Sequence, residues 1–289
     1  MPNSSRETGV TLDNIIKSLD LKEGIFKFLN DGSLKNMSAT SRYWQAAVKD
    51  NGKSVFINRA PEAGDNESLK GLLKDAKKIT FSSKISYDQV KSFFEGEQSI
   101  GSFSKLKEIN FVSSNINSAD LQEILKKAPN LEKIDLGGCR NIVDLNLAGI
   151  NLDKLKDINF AYSNIKSAGL QEILKQAPNL ENIDLWGCRN IVDLNLAGIN
   201  LGKLKDIDLG YSYINSADLQ EILKKAPNLE NINLGGCDDI ATEDRKTFNK
   251  SEIASLKDKL GIKGTSPPLT STAVTSAATI SSGPAARSI

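Results

Sequence analysis

The sequence has no histidine among its 289 residues. Histidine is the commonest general base and the only imidazole metal ligand, and it completes the Ser-His and Cys-His nucleophilic arrangements. Its absence favours a protein that is not an enzyme and uses no metal or cofactor.

Cysteines and long apolar runs are also scarce. The chain has three cysteines, and an odd number favours a reducing compartment over a disulfide scaffold. No stretch approaches the roughly 18 apolar residues of a membrane span, and residues 1–7 lack the apolar run of a secretory signal. We therefore expect a soluble, cytoplasmic protein.

Neither sign of charge is in excess. The 37 basic and 36 acidic side chains leave a net charge of +1. The overall field therefore indicates neither nucleic acid nor an anionic membrane as a partner.

What the sequence does contain is an internal repeat of 49 residues. Residues 131–179 and 180–228 align without a gap and differ at only 10 of 49 positions. Each unit divides into two coils, and the coils begin at leucines: Leu106, Leu131, Leu155, Leu180, Leu204 and Leu229. A weaker match starting at Ala76 makes seven coils.

The two coils of a unit share the pattern LxxLxLxx followed by a small polar residue. One type reads Leu106-x-x-Ile109-x-Phe111, and the other reads Leu131-x-x-Ile134-x-Leu136. This pattern predicts a short parallel strand with alternate side chains turned inward. We expect an α/β solenoid, with parallel strands on the concave face and helices and extended turns on the convex face.

The return limbs of the two coil types differ. Residues 118–128 have helical periodicity, with Ser118 suited to the N-cap position and Pro129 ending the helix. The same helix is expected at 167–177 and 216–226. Residues 143–152 alternate with a period nearer two, which favours an extended turn.

The ends of the chain divide it further. Residues 242–260 turn polar and helical, as a terminal cap of a solenoid running from 53 to 262 requires. Residues 1–12 and the Ser/Thr/Ala/Pro-rich 263–289 are expected to be disordered. The second of these tails either keeps the protein soluble or carries a secretion or sorting signal.

The coils resemble the cysteine-containing leucine-rich repeats (LRRs). In that subfamily a coil reads LxxLxLxxCxxIxD and ends in C-P-N. Here Leu131 to Asp144 fits the first part, and Ala128-Pro129-Asn130 occupies the C-P-N place. The resemblance spans residues 76–245 and implies a fold that holds another macromolecule on a repeated surface.

The apolar residues of 13–52 are spaced for three or four short helices, and this segment resembles an F-box. Residues 25–34 fit the family's I-L-x-x-L-x-x-x-x-L segment and 41–44 fit S-K-R-W, whereas Lys17-Ser18 stands where the family has Leu-Pro. The resemblance implies docking to the Skp-family adaptor of SCF ubiquitin ligases through Leu21, Ile25, Leu29, Leu34 and Trp44.

Polar and aromatic residues along the strands are the candidate target-binding residues. We assign this role on the concave face to Asp135, Asn159, Tyr162, Asp184, Trp186, Asp208, Tyr211 and Tyr213. The acidic row either is ordinary solvated strand surface or attracts a basic or hydrogen-bonding partner. The aromatic residues form either a binding patch or local packing at the edge of the turn.

Cys139, Cys188 and Cys237 recur at the 49-residue spacing. Two coils separate them by roughly 10 Å, beyond the roughly 7 Å between Cα atoms that a disulfide spans. We interpret them as turn-capping residues, with a reactive thiol as the alternative.

Three functions follow from these features. The first is a non-enzymatic SCF substrate-recognition subunit, monomeric outside its complex, that binds an adaptor through residues 13–52 and an unknown target through the repeats. The second is a plain LRR interaction scaffold whose N-terminal helices cap the first coil. The third, a cysteine-dependent ubiquitin ligase of the bacterial LRR type, is disfavoured because only about 45 residues follow the repeats.

The Asn-, Lys- and Ile-rich composition with near-identical copies is similar to that of effectors that intracellular bacteria deliver into host cells. That resemblance implies action in a host cytosol.

Overall fold

The computed structural model describes residues 46–49, 54–57, 73–83, 86–94 and 100–262. Within these ranges the strands form one ten-stranded sheet in chain order. Its strands are β1 (Ala46–Lys49), β2 (Ser54–Ile57), β3 (Lys78–Phe81), β4 (Glu108–Asn110), β5 (Lys133–Asp135), β6 (Asp157–Asn159), β7 (Asn182–Asp184), β8 (Asp206–Asp208), β9 (Asn231–Asn233) and β10 (Thr247–Asn249).

The strands from β2 to β9 pair in parallel, and every coil contributes one of them. Equivalent residues of successive coils lie side by side, as when Ile134 pairs with Ile158 and Ile158 with Ile183. This stacking of seven LxxLxL coils confirms the predicted α/β leucine-rich-repeat solenoid.

Both ends of the parallel array are closed by an antiparallel strand. β1 pairs antiparallel with β2, and β10 pairs antiparallel with β9. β2 is an eighth parallel strand that the repeat pattern misses, since residues 54–57 lack the leucine spacing. β1 shows that residues 46–49 of the segment 13–52 form a strand, not a helix.

Beside the helical residues 73–75 and the 3-10 helices Tyr87–Gln89 and Thr242–Asp244, the described part of the chain has five α-helices. They are α1 (Lys91–Phe94), α2 (Ser118–Lys127), α3 (Ser167–Gln176), α4 (Ser216–Lys225) and α5 (Lys250–Lys259). The predicted helices at 118, 167 and 216 are confirmed. None of these helices is long and apolar enough to cross a membrane.

The N-caps of the convex helices lie one residue earlier than predicted. Asn117, not Ser118, caps α2, and its side chain accepts from the amides of Ala119 and Asp120. Asn215 does the same for α4, whereas Lys166 at the start of α3 makes no side-chain cap. Ser118 instead accepts from the amide of Val143 with its hydroxyl, and thereby ties α2 to the next coil.

One continuous apolar core runs through all coils. It includes the inward strand residues, the apolar face of each helix and the aliphatics of the return limbs. The limb 143–152 contains no helix or strand, and it buries Leu145, Leu147, Ile150 and Leu152, as an extended turn was expected to do. Each coil's apolar residues are covered by its neighbours, so the stack depends on contacts between coils.

Aromatic rings fill the N-terminal part of this core. Phe81 stacks on Phe111 with centroids 4.7 Å apart, and Phe94 lies 5.1 Å from Phe103 and 5.9 Å from Tyr87. At the other end Phe248, Ile253 and Leu256 of β10 and α5 are buried against the last coil. The C-terminal cap is therefore present, with a strand that the sequence did not predict.

The predicted segments 1–12 and 263–289 lie outside the described residues, as does most of 13–52.

Candidate interaction surface on the concave face

Two rows of outward side chains cover the concave face of the sheet. The register places Asn110, Asp135, Asn159, Asp184, Asp208 and Asn233 in one row, and Glu108, Lys133, Asp157, Asn182, Asp206 and Asn231 in the other. The sequence-predicted Asp135, Asn159, Asp184 and Asp208 therefore share one face, as expected.

The first of these rows also ends the strands. Asp184 accepts a hydrogen bond at Oδ1 from the amide of Trp186 at 3.0 Å, and Asp208 accepts one from Gly210 at 2.9 Å. The same bond from the residue two positions on recurs at the other members of the row. Such Asx turns explain why Asp or Asn occupies this position in the six coils that contribute β4 to β9.

Amide–carboxylate pairs join neighbouring coils within the rows. Asn182 donates to Asp157 at 2.7 Å, and Asn231 donates to Asp206 at 2.5 Å. Asn233 donates to both carboxylate oxygens of Asp208, at 3.0 and 3.2 Å. The face is thus pre-organised, with its carboxylates held in place by neighbours.

These rows line an open groove of about 460 Å³ over β5 to β10. Its charged side chains are five carboxylates and one ammonium: Asp135, Asp157, Asp184, Asp206, Asp208 and Lys133. Half-burial, together with the nearby Asp208 and Asp135 carboxylates, raises the pKa of Asp184. The groove is acidic, and it disfavours additional negative charge.

A charge ladder runs along the strand-entry edge of this face. Its members alternate in sign from coil to coil: Lys107, Glu132, Lys156, Glu181, Lys205 and Glu230. Lys107 donates to Glu132, and Lys205 donates to Glu181 at 2.5 Å. These hydrogen bonds are the largest causes that lower the pKa of Glu132 and of Glu181. The pattern was not recognised in the sequence, although the 49-residue period generates it.

At the strand-exit edge lies an aromatic patch, which we define as Tyr162, Trp186, Tyr211 and Tyr213. Trp186 packs edge-to-face against Tyr162 at 4.3 Å and against Tyr211 at 5.0 Å between ring centroids. Tyr213 lies beyond them, with the Arg189 guanidinium 5.9 Å from its ring centroid. The three tyrosines lie in the turns after the strands, so they border the concave face and do not stand on the strands themselves.

The rings of the patch lie against glycines of the next coil, so that large and small residues alternate from coil to coil. Trp186 lies across Gly210, where a Cβ atom would come within 2.6 Å of the indole. Tyr211 lies across Gly236, where a Cβ would come within 2.7 Å of its ring. Tyr162 and Tyr211 adopt left-handed backbone angles of φ 57° and 56°, which bulky residues rarely do. The glycines of neighbouring coils provide the space that these rings occupy.

The three cysteines lie in the turns, buried, and none forms a disulfide. Cys139 donates to the carbonyl of Phe111 at 3.0 Å, Cys188 to that of Phe160 and Cys237 to that of Leu209, also at 3.0 Å. Buried Ser114, Ser163 and Ser212 lie 3.7 to 3.8 Å from the corresponding sulfurs. The predicted turn-capping role is confirmed.

Burial raises the pKa of all three thiols, and that of Cys188 reaches about 11. A folded-state pKa above the unfolded value contributes stability that is present below pH 9 and lost as the pH rises towards 11. We expect the free energy of unfolding to fall over this window by up to about 2 to 3 kcal/mol for this thiol.

Urea unfolding of wild type and Cys188→Ser at a series of pH values measures this effect. Serine has no thiol to ionise, so the difference between the two proteins should shrink as the pH rises. A difference that does not depend on pH would contradict the assignment.

The predicted adaptor-binding residues Leu21, Ile25, Leu29, Leu34 and Trp44 lie outside the described residues. Among the residues that the structure describes, no group of three or more His, Cys, Asp or Glu side chains is placed to hold a metal ion.

Residues 80–195 match the family model described as "FBD-associated F-box protein At5g56370, LRR repeats". The coils in this range are similar to the leucine-rich repeats of that family. A comparison with curated proteins finds no match. Among solved structures, "Crystal structure of Rad7 and Elc1 complex in yeast" aligns with 80% of this chain and 84% of that chain, at 13% identity and a TM-score of 0.37.

Proposed function

We propose that this LRR protein is a non-enzymatic substrate-recognition subunit of an SCF-type ubiquitin ligase. The concave face, a pre-organised and open array of polar side chains bordered by exposed aromatic rings, carries the proposal. Such a face holds a protein partner, because it presents aromatic anchors beside positioned polar groups. The match of residues 80–195 to the repeats of an F-box-associated family supports the ligase context.

In this function residues 13–52 bind a Skp-family adaptor, and the repeats bind the protein to be ubiquitinated. The chain itself needs no catalytic residue, because ubiquitin transfer is performed by other subunits. We place the protein in the cytosol, and in a host cytosol if it is a bacterial effector.

Direct binding between the full chain and a purified Skp-family adaptor tests the proposal. We expect the wild type to retain the adaptor in a pull-down, and Ile25→Asp with Leu29→Asp to abolish retention. Trp186→Gly is the matched control, since its site is on the repeats and the equivalent Gly137 shows that glycine is accommodated there. A folded wild type that retains no adaptor would rule out the SCF function.

A plain LRR interaction scaffold is the second candidate, and strand β1 favours it. Ala46–Lys49 extends the sheet antiparallel to β2, so these four residues of the segment 13–52 belong to the same sheet as the repeats. If the whole segment is a cap, Leu29→Asp should lower the unfolding midpoint of the repeats. If it is an adaptor-binding module, that midpoint should stay unchanged.

A further inference from the structure

The tyrosine rings of the aromatic patch remain about half exposed to solvent, although they pack against neighbouring side chains. Tyr162, Tyr211 and Tyr213 are 57%, 50% and 41% exposed, although the rings also contact one another or Arg189. At the equivalent positions other coils have Ser113, Asn115 and Asn164, so the solenoid does not need an aromatic residue there. Exposed, mutually supported aromatic rings are typical of binding anchors.

The patch is continuous with the concave groove. Trp186 is the second residue after Asp184 and donates its amide to that carboxylate at 3.0 Å. Strand alternation places the two side chains on the same face. A ligand that contacts the indole therefore lies beside the row of Asp135, Asp184 and Asp208.

Half of the differences between the two near-identical units lie on this surface. Of the ten differing positions between 131–179 and 180–228, five lie on the concave face or in the turns at its edge. They are Lys133/Asn182, Gly137/Trp186, Asn159/Asp208, Ala161/Gly210 and Asn164/Tyr213. In the second unit these changes remove a lysine, add an aspartate and add two aromatic rings. Half of the differences between the two units therefore change this surface, and they shift it towards acidic and aromatic character.

The charges of the groove and the aromatic rings of the patch favour a cationic ligand. Five carboxylates against one ammonium line the groove, and the face of an aromatic ring attracts a cation. Arg189 already places a guanidinium 5.9 Å from the centroid of the Tyr213 ring, which shows that this chemistry suits the patch.

We propose that the aromatic patch, together with the acidic groove beside it, docks an extended arginine- or lysine-rich segment of the target protein. This inference rests on the proposed interaction function of the repeats. The cationic groups contact Asp184 and its neighbours, and the rings of Trp186 and the tyrosines cover their aliphatic or planar parts. The face from β5 to β9 spans about 19 Å, the length of about six extended residues.

Fluorescence anisotropy with labelled peptides of about eight residues tests the proposal on the full chain. One peptide alternates arginine with serine, and its matched control has glutamate at every arginine position. We expect the arginine peptide to bind with an affinity that falls as salt is raised, and the glutamate peptide not to bind.

The decisive variant combines Tyr162→Ser, Trp186→Gly and Tyr211→Ser. Each replacement is the residue that the chain itself has one unit earlier or two units earlier, at Ser113 or Gly137, so the fold should be retained. Loss of aromatic anchors should weaken binding of the arginine peptide at least about tenfold, and Asp184→Asn should weaken it while reducing its dependence on salt. Circular dichroism checks that each variant is folded.

Equal binding of the two peptides, no binding of the arginine peptide, or unchanged affinity in the triple variant would each overturn the proposal. Adaptor retention is measured in parallel and should be unaffected by the triple variant. Failure of adaptor binding with peptide binding intact removes the SCF function alone. The reverse result removes the basic-segment proposal alone.

Discussion

Replacing Phe160 by alanine will lower the free energy of unfolding by about 3 to 5 kcal/mol. Phe160 is completely buried in the layer of the core directly behind the concave strands, between Leu136 and Leu185 of the adjacent coils. Alanine leaves a cavity that the two neighbouring coils cannot close without moving their own strands. Urea unfolding followed by circular dichroism measures the change.

The second unit, residues 180–228, provides the matched control. Leu209 occupies the position equivalent to Phe160, so Phe160→Leu introduces a side chain that this scaffold already packs there. We expect that variant to cost less than about 1.5 kcal/mol. If the leucine and alanine variants were equally destabilised, the core would not depend on filled volume at this layer.

Introducing an aspartate at Leu256 will detach the C-terminal cap. Leu256 is buried on α5, and it packs with Ile253 and Phe248 against the last coil. Burial of an unpaired carboxylate costs several kcal/mol. This cost exceeds the free energy by which a ten-residue helix and a three-residue strand are stabilised against local unfolding. We expect α5 and β10 to unfold locally.

Hydrogen exchange should then lose protection in residues 247–259 and in β9, while β5 to β7 keep theirs, because each coil contacts only its neighbours. The edge of β9 becomes unpaired, and we expect concentration-dependent association in light scattering. Ser255→Asp adds the same charge at an exposed position of the helix and serves as the control. Equal loss of protection in every strand would mean that the solenoid unfolds as a single unit.

Much of this fold can be predicted from the sequence, because its information is local and repeated. The spacing of Leu131, Ile134 and Leu136 determines which side chains face inward, and the 49-residue copies impose the same register on each strand. Pro129 and the helical periodicity before it place α2 to within a residue of its end. The cysteines lie where their spacing predicted, because a solenoid brings equivalent positions of successive units to the same edge.

The parts that were missed depend on contacts between segments. β1 and β10 reverse direction to pair with their neighbours, and no periodicity within a few residues encodes an antiparallel partner. Asn117, not Ser118, is the N-cap because it forms a capping box with Asp120. The Asn117 side chain accepts from the Asp120 backbone amide, and the Asp120 carboxylate accepts from the Asn117 backbone amide.

The sequence predicted which residues lie on the candidate surface, but not the hydrogen bonds and ring contacts between them. Sequence reasoning placed Asp184 and Trp186 on one face, yet it gave no sign that an Asx turn joins them. The packing of Tyr211 on Gly236 requires knowing that residues 25 apart are adjacent in space. Comparison of large and small residues at that spacing could have revealed it.

The alternation of lysine with glutamate and of tyrosine with glycine from coil to coil determines how many coils can be inserted without disrupting these contacts. Lysine and glutamate exchange places at every coil of the charge ladder, and tyrosine and glycine do so in the turns. Insertion of one coil would therefore set like charges side by side and place ring against ring or glycine against glycine.

Insertion of two coils preserves both alternations and leaves the antiparallel terminal strands unchanged. Duplication of a complete 49-residue unit would extend the acidic face by about 10 Å and add another set of aromatic side chains. A gene that gains or loses whole units can thus change the length of the concave face while both terminal strands stay the same.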